Sequence, residues 1–233
     1  MKKQLWICVL ALSAMVCLIV SLTGSLQQAA KIAHLLEGTD TRGLLRQQQV
    51  PAGLYEAFCG YEKDSGYSRY DYLLGYLATG EEGQRELEGY LGLLYEYKAP
   101  KAQELVREEQ AIWADIAYFP IPLSGKDSTL ETSFENSWMF DRSFGGNRGH
   151  EGTDIMASLN QRGHYPVVSI TDGVVEKVGW LKLGGYRIGI RAPSGGYFYY
   201  AHLYDYAREF KEGDQVKAGE LLGFMGDSGY GEE

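Results

Sequence analysis

Histidine and cysteine are scarce in this sequence, four and three among 233 residues. Cys8 and Cys17 fall inside an apolar run near the N-terminus, which leaves Cys59 alone further along and excludes an intrachain disulfide framework. Cys59 reads as a small, buried apolar residue. Basic charge is short as well: 22 Lys and Arg stand against 31 Asp and Glu, a net of −9. Without Lys2 and Lys3, the rest of the chain has 20 basic against 31 acidic residues. A surface of that sign repels phosphate backbones, which excludes nucleic acid as a partner. The apolar content, 45%, is enough for the core of one medium domain or two small ones.

Leu5 to Leu22 carries no charge over 18 residues. As a helix it spans about 27 Å at roughly 1.5 Å per residue, enough to cross a bilayer. A cleaved signal peptide is the alternative, but it would have a shorter apolar stretch and a small-residue cleavage site, for which Ser21 to Ser25 is a poor match. Val16 before Cys17 argues against lipid attachment. The reading is an uncleaved single-pass membrane anchor, with Lys2 and Lys3 cytoplasmic and the bulk of the chain extracytoplasmic.

The remaining chain divides by texture. Residues 1–23 are the cytoplasmic tip and anchor. Residues 24–49, polar and rich in Gln, form a stalk with a possible short helix around Ala29 to Leu36. Residues 50–119 form a helical segment of three or four short helices. Leu87, Tyr90, Leu91 and Leu94 recur at helical spacing, and Leu105, Ile112 and Ile116 form a second stripe after Pro100. The many tyrosines there read as core or rim residues. Pro120 and Pro122 end the helical run, and residues 120–233 are strand-like and glycine-rich. Pro166–Thr171, Val174–Trp180, Tyr186–Arg191 and Tyr197–His202 are short β runs separated by turns too short for crossover helices, which predicts an antiparallel sheet. The fold class is therefore α+β.

Arg148-Gly-His150-Glu-Gly152-Thr-Asp154 places a histidine and a carboxylate four positions apart across Gly152. A catalytic zinc site takes three ligands of the His, Asp, Glu or Cys kind and keeps a position open for water. His150 and Asp154 could supply two. In a straight strand their Cα atoms would lie about 13 Å apart, so convergence requires the bend that Gly149 and Gly152 allow. A glycine-rich surface turn is the other reading of these residues. In Tyr197 to His202 a period of two puts Phe198, Tyr200 and His202 on one face; His202 could equally cap an aromatic core. His34, in the stalk, and His164, in a polar loop, have no companion that suggests a ligand.

Five blocks in order extend the pattern: Arg148-x-His150-x-Gly152-x-Asp154, Pro166 to Val175, Gly184 to Ile190, Tyr200-Ala-His202-Leu203, and Glu212 to Gly219 with Leu221 to Gly229. From about Phe134 to Gly229 the chain resembles the lysostaphin and LytM type of zinc metallopeptidases, which cleave peptide cross-links of bacterial peptidoglycan. The resemblance implies a β domain of the duplicated hybrid motif type with the metal in a groove across one sheet. It also implies that His150 and Asp154 are Zn2+ ligands, and that His202 is a catalytic histidine that does not bind the metal.

The sequence departs from the family in one respect. An H-x-H that follows the Gly-Asp-Ser-Gly block in the family, with the third ligand and second catalytic histidine, is missing before Glu233. This predicts a truncated peptidase domain that is inactive as it stands. The alternative is a degenerate, non-catalytic module that acts as an envelope scaffold or hydrolase activator. A biotinyl or lipoyl carrier domain would share some hairpin texture, but Lys177, Lys182 and Lys217 lack the setting of a modified lysine.

Overall fold

A computed structural model describes residues 2–37, 41–46, 49–51, 53–127, 130–142 and 148–229. Gly38 of the expected stalk and the expected chain end, 231–233, lie outside the described residues. Two compact units divide the chain, Met1–Val106 and Arg107–Glu233.

In the first unit α1 (Lys2–Glu37) is followed by α2 (Thr41–Arg46), α3 (Leu54–Asp64) and α4 (Arg69–Thr79), and then by α5 (Gln84–Trp113), whose residues from Arg107 on belong to the second unit. Within α1, the 25 residues Lys3–Gln27 contain an 18-residue window of mean hydropathy 2.7, long and apolar enough to cross a membrane. Leu5, Trp6 and Leu10 are exposed along it. Helix α1 continues to Glu37, well into the 24–49 region expected to be a mostly irregular stalk.

Helix α4 begins at a reciprocal cap: the Asp71 N–H donates to Ser68 Oγ, and the Ser68 N–H donates to Asp71 Oδ2 at 2.8 Å. Gly80, left-handed with φ 73°, ends the helix by donating to the Tyr76 carbonyl. Buried Asp71 also accepts from the Tyr95 hydroxyl, so the α4 cap is tied to α5. Phe58, Tyr72, Leu73, Leu87 and Leu91 are buried around it, Tyr90 is core and Tyr97 is exposed. The first stripe and Leu105 and Ile112 of the second lie on one helix, because α5 runs through Pro100, whereas Ile116 falls beyond its end at Trp113 and is exposed. A proline removes one N–H from the ladder, and in a helix of 30 residues the buried Ala102 and Leu105 beyond it carry the packing on.

Among the described residues the second unit holds ten strands: β1 (Thr132–Phe134), β2 (Asp141–Arg142), β3 (Arg148–Gly149), β4 (Ile155–Ala157), β5 (Pro166–Val168), β6 (Gly173–Leu181), β7 (Gly185–Arg191), β8 (Tyr197–Tyr206), β9 (Gln215–Val216) and β10 (Leu221–Met225). Six of them form one sheet in the order β5-β10-β8-β7-β6-β9, while β1 pairs with β4 and β2 with β3. Every pairing is antiparallel, as the hairpin texture predicts. Alternation in β7 buries Ile188 and Ile190 against Val175, Tyr200, Leu203 and Leu222. Ile155 and Ala157 of β4 pack on the same core, which anchors the segment just after Asp154.

Candidate metal centre

The β2–β3 hairpin sets one side of the site. Beyond its pairs, Asp141 with Gly149 and Arg142 with Arg148, the ladder continues as the His150 N–H donates to the Phe140 carbonyl at 2.9 Å and the Met139 N–H to the His150 carbonyl at 2.7 Å. The chain then bends through Gly152 before β4 begins at Ile155. This bend closes the gap that a straight strand would leave: His150 Nε2 stands 3.4 Å from Asp154 Oδ1. Gly152 lies close under the ring, and a Cβ there would sit 3.5 Å from Nε2.

Each of the two side chains is held from behind. His150 Nδ1 is 3.0 Å from the hydroxyl of buried Ser137, and Arg142 Nη2 donates to Asp154 Oδ2. His150 is largely buried, with a side-chain exposure of 16%, and Asp154 is more open at 42%. The arrangement leaves Nε2 and Oδ1 facing one another. Two ligand atoms bound at about 2.0–2.2 Å to one tetrahedral zinc lie roughly 3.3–3.5 Å apart. The observed separation therefore fits a shared ion, and the imidazole and carboxylate are ordinary zinc donors. Among the described residues, no group of three His, Cys, Asp or Glu side chains gathers that could hold a metal.

His202 departs from the expected face. In the pairing of β7 with β8, Tyr186 is opposite Leu203 but Ile188 is opposite Tyr200, so β8 has one residue too many at Ala201–His202. His202 takes a left-handed conformation, φ 58°, in this bulge. The extra residue gives the core-facing position to Leu203, so His202 does not share the face of Phe198 and Tyr200. Its N–H donates to the Gly184 carbonyl at 2.8 Å and its Nδ1 lies 2.7 Å from the Ser228 carbonyl oxygen. Because that oxygen can only accept, Nδ1 carries the proton, and in the neutral ring the lone pair is on Nε2.

Ser228 completes this support. Its hydroxyl donates to the Leu203 carbonyl at 2.6 Å and accepts from the Tyr186 N–H at 3.1 Å. The approach is so close that a Cβ on Gly185 would fall 2.2 Å from Ser228 Oγ, and one on Gly229 would fall 2.0 Å from the Gly185 nitrogen. Steric necessity thus explains glycine in both blocks. His164 lies edge-on to Tyr165 and takes no part in either arrangement.

Ser137, Arg142 and Ser228 were not found by sequence reasoning. A serine thirteen residues before its histidine carries no spacing signal, and Arg142 is one of many surface-type charges. Only Ser228, inside the Gly-Asp-Ser-Gly block, had a signal that could have singled it out.

Residues 148–233 match peptidase family M23. The L-Ala–D-Glu endopeptidase of Bacillus subtilis is 36% identical over 179 residues, covering 73% of this chain and 50% of that protein. Lysostaphin of Staphylococcus simulans is 35% identical over 83 residues, 35% of this chain and 16% of its own length. The chain thus spans half the length of the first of these curated relatives and far less of the second. A crystal structure from Ruminococcus gnavus, of a candidate glycyl-glycine endopeptidase LytM, is 42% identical with a TM-score of 0.64 and covers 87% of this chain and 81% of that one. With a solved relative of that identity and coverage, this chain belongs to the M23 peptidase family.

Proposed function

We propose that the protein is a membrane-anchored, zinc-dependent endopeptidase that cleaves peptide cross-links of bacterial peptidoglycan. The observation that carries this reading is the 3.4 Å approach of His150 Nε2 to Asp154 Oδ1, with Ser137 and Arg142 holding their other polar atoms. The names of the relatives, both endopeptidases, support the reaction class.

In this reading His150 and Asp154 hold the ion. Zinc, when bound, would acidify a water molecule and polarise the scissile carbonyl. Ser137 fixes the His150 ring, and Arg142 limits the carboxylate to one outward oxygen. His202, its Nδ1–H fixed by Ser228, presents a basic Nε2 that can take the proton of the attacking water; once protonated, it can donate to the oxyanion. His150 and Asp154 account for two of the three protein ligands that a catalytic zinc takes. The second reading is a non-catalytic envelope module: among the described residues no third His, Cys, Asp or Glu side chain joins the pair.

The apolar Lys3–Gln27 segment supports a retained anchor, and residues 24–49, 50–119 and 120–233 are proposed as stalk, helical segment and peptidase-like domain. Release of peptides from purified peptidoglycan, with and without added zinc, tests the activity. Zinc-dependent cleavage supports the peptidase, whereas zinc binding without cleavage favours the non-catalytic module.

A further inference from the structure

Two arginines stand four residues apart on the face of β7 that points away from Ile188 and Ile190. Arg191 is neutralised: its Nε and Nη2 donate to the Glu176 carboxylate at 2.6 and 2.9 Å, and its guanidinium lies over the Tyr197 ring. Arg187 is not. Its Nε and Nη1 are buried, and among the described residues neither has a hydrogen-bond partner. Leaving charged donors shielded from water and unpaired is costly, and it is tolerated where an anion completes the pair.

The position of Arg187 indicates which anion. Tyr186 pairs with Leu203 and Ile188 with Tyr200, so Arg187 is the residue directly across from the Ala201–His202 bulge. Residues opposite one another on neighbouring antiparallel strands have Cα atoms about 4.5–5.5 Å apart and share a face. Arg187 therefore stands beside the candidate catalytic histidine. Its backbone is fixed there by the Tyr206 hydroxyl, which accepts from the Arg187 N–H at 3.1 Å and lies 2.8 Å from the Arg187 carbonyl oxygen. Burial pushes the Tyr199 phenol up, and the Arg187 charge pulls it back.

Building on the endopeptidase reading, we propose that Arg187 binds a free carboxylate of the substrate next to the scissile bond, so that the enzyme prefers an acidic residue there over glycine. A glutamyl residue linked through its amine and one carboxyl keeps the other carboxyl as an anion; a glycyl-glycine bond offers none. On a chain with a net charge of −9, a guanidinium whose Nε and Nη1 have no partner among the described residues gives an anionic peptide a favourable place to bind. The planar guanidinium suits a carboxylate in two-point contact.

The test reads binding, so that it does not depend on turnover. The full chain in detergent micelles, with zinc present, is titrated by NMR with acetyl-L-alanyl-D-glutamate, with its diamide, and with acetyl-tetraglycine amide. The expected result is an affinity for the acidic peptide about 10- to 100-fold above that for either neutral peptide, the scale of a charge-assisted contact. Arg187→Gln should bring that ratio to near one, and Arg187→Lys, which keeps the charge, should retain part of it. Equal affinities in the unmodified chain, a comparison that requires no folded variant, would overturn the proposal. So would a preference that survives Arg187→Gln. Binding of none of the three peptides would overturn the endopeptidase reading and this proposal with it, whereas equal binding of all three overturns the proposal alone.

Discussion

His202 Nδ1 and the Ser228 carbonyl oxygen lie 2.7 Å apart, joining the bulge in β8 to the loop that follows β10. One hydrogen bond thus fixes the tautomer of the candidate catalytic ring, and the bulge aims it. In a chain that also supplies a third zinc ligand, His202→Ala is expected to keep its zinc and lose peptidoglycan cleavage by about 10² or more, the usual scale for a general acid/base or oxyanion group. Elemental analysis and peptide release, measured on the same preparation, check this. Zinc lost together with activity would make His202 a ligand instead.

Arg142 and Ser137 each hold a candidate ligand from behind. Groups in that position tune metal affinity by about 10- to 100-fold. Arg142→Ala and Ser137→Ala are each expected to weaken zinc binding on that scale while leaving the fold intact. Competition with a chromophoric chelator gives the affinity, and circular dichroism checks the fold. An unchanged affinity in both variants would show that the two contacts do not organise the site.

The Tyr206 hydroxyl accepts from the N–H groups of both Gly179 and Arg187, between β6 and β7. Tyr206→Phe leaves two backbone donors without that acceptor, and the expected loss is about 2–3 kcal/mol of stability. Urea unfolding followed by tryptophan fluorescence measures it. A loss below about 0.5 kcal/mol would mean that water replaces the hydroxyl at no cost.

Much of the β domain was legible because β7 and β8 alternate in a simple way: Ile188, Ile190 and Tyr200 are apolar at every second place and all reach the core. The antiparallel order followed from turns such as Asp172-Gly173, too short for a crossover. What alternation could not give was its own interruption. The Ala201–His202 bulge depends on a left-handed residue, and histidine does not announce that conformation. Pro100 misled for the opposite reason, since a local breaker signal was overridden by packing on both sides of it. The His150–Asp154 spacing was visible in the sequence, but their convergence depends on a bend at Gly152 and on Ser137 and Arg142, which no short-range pattern connects to them.

The central claim is that His150 and Asp154 bind one zinc ion, and the most direct measurement is a zinc titration of the chain beside His150→Ala and Asp154→Ala. Either substitution should lower the affinity at least about tenfold, because each removes one of the proposed protein ligands. Unchanged zinc affinity in either variant would contradict the account.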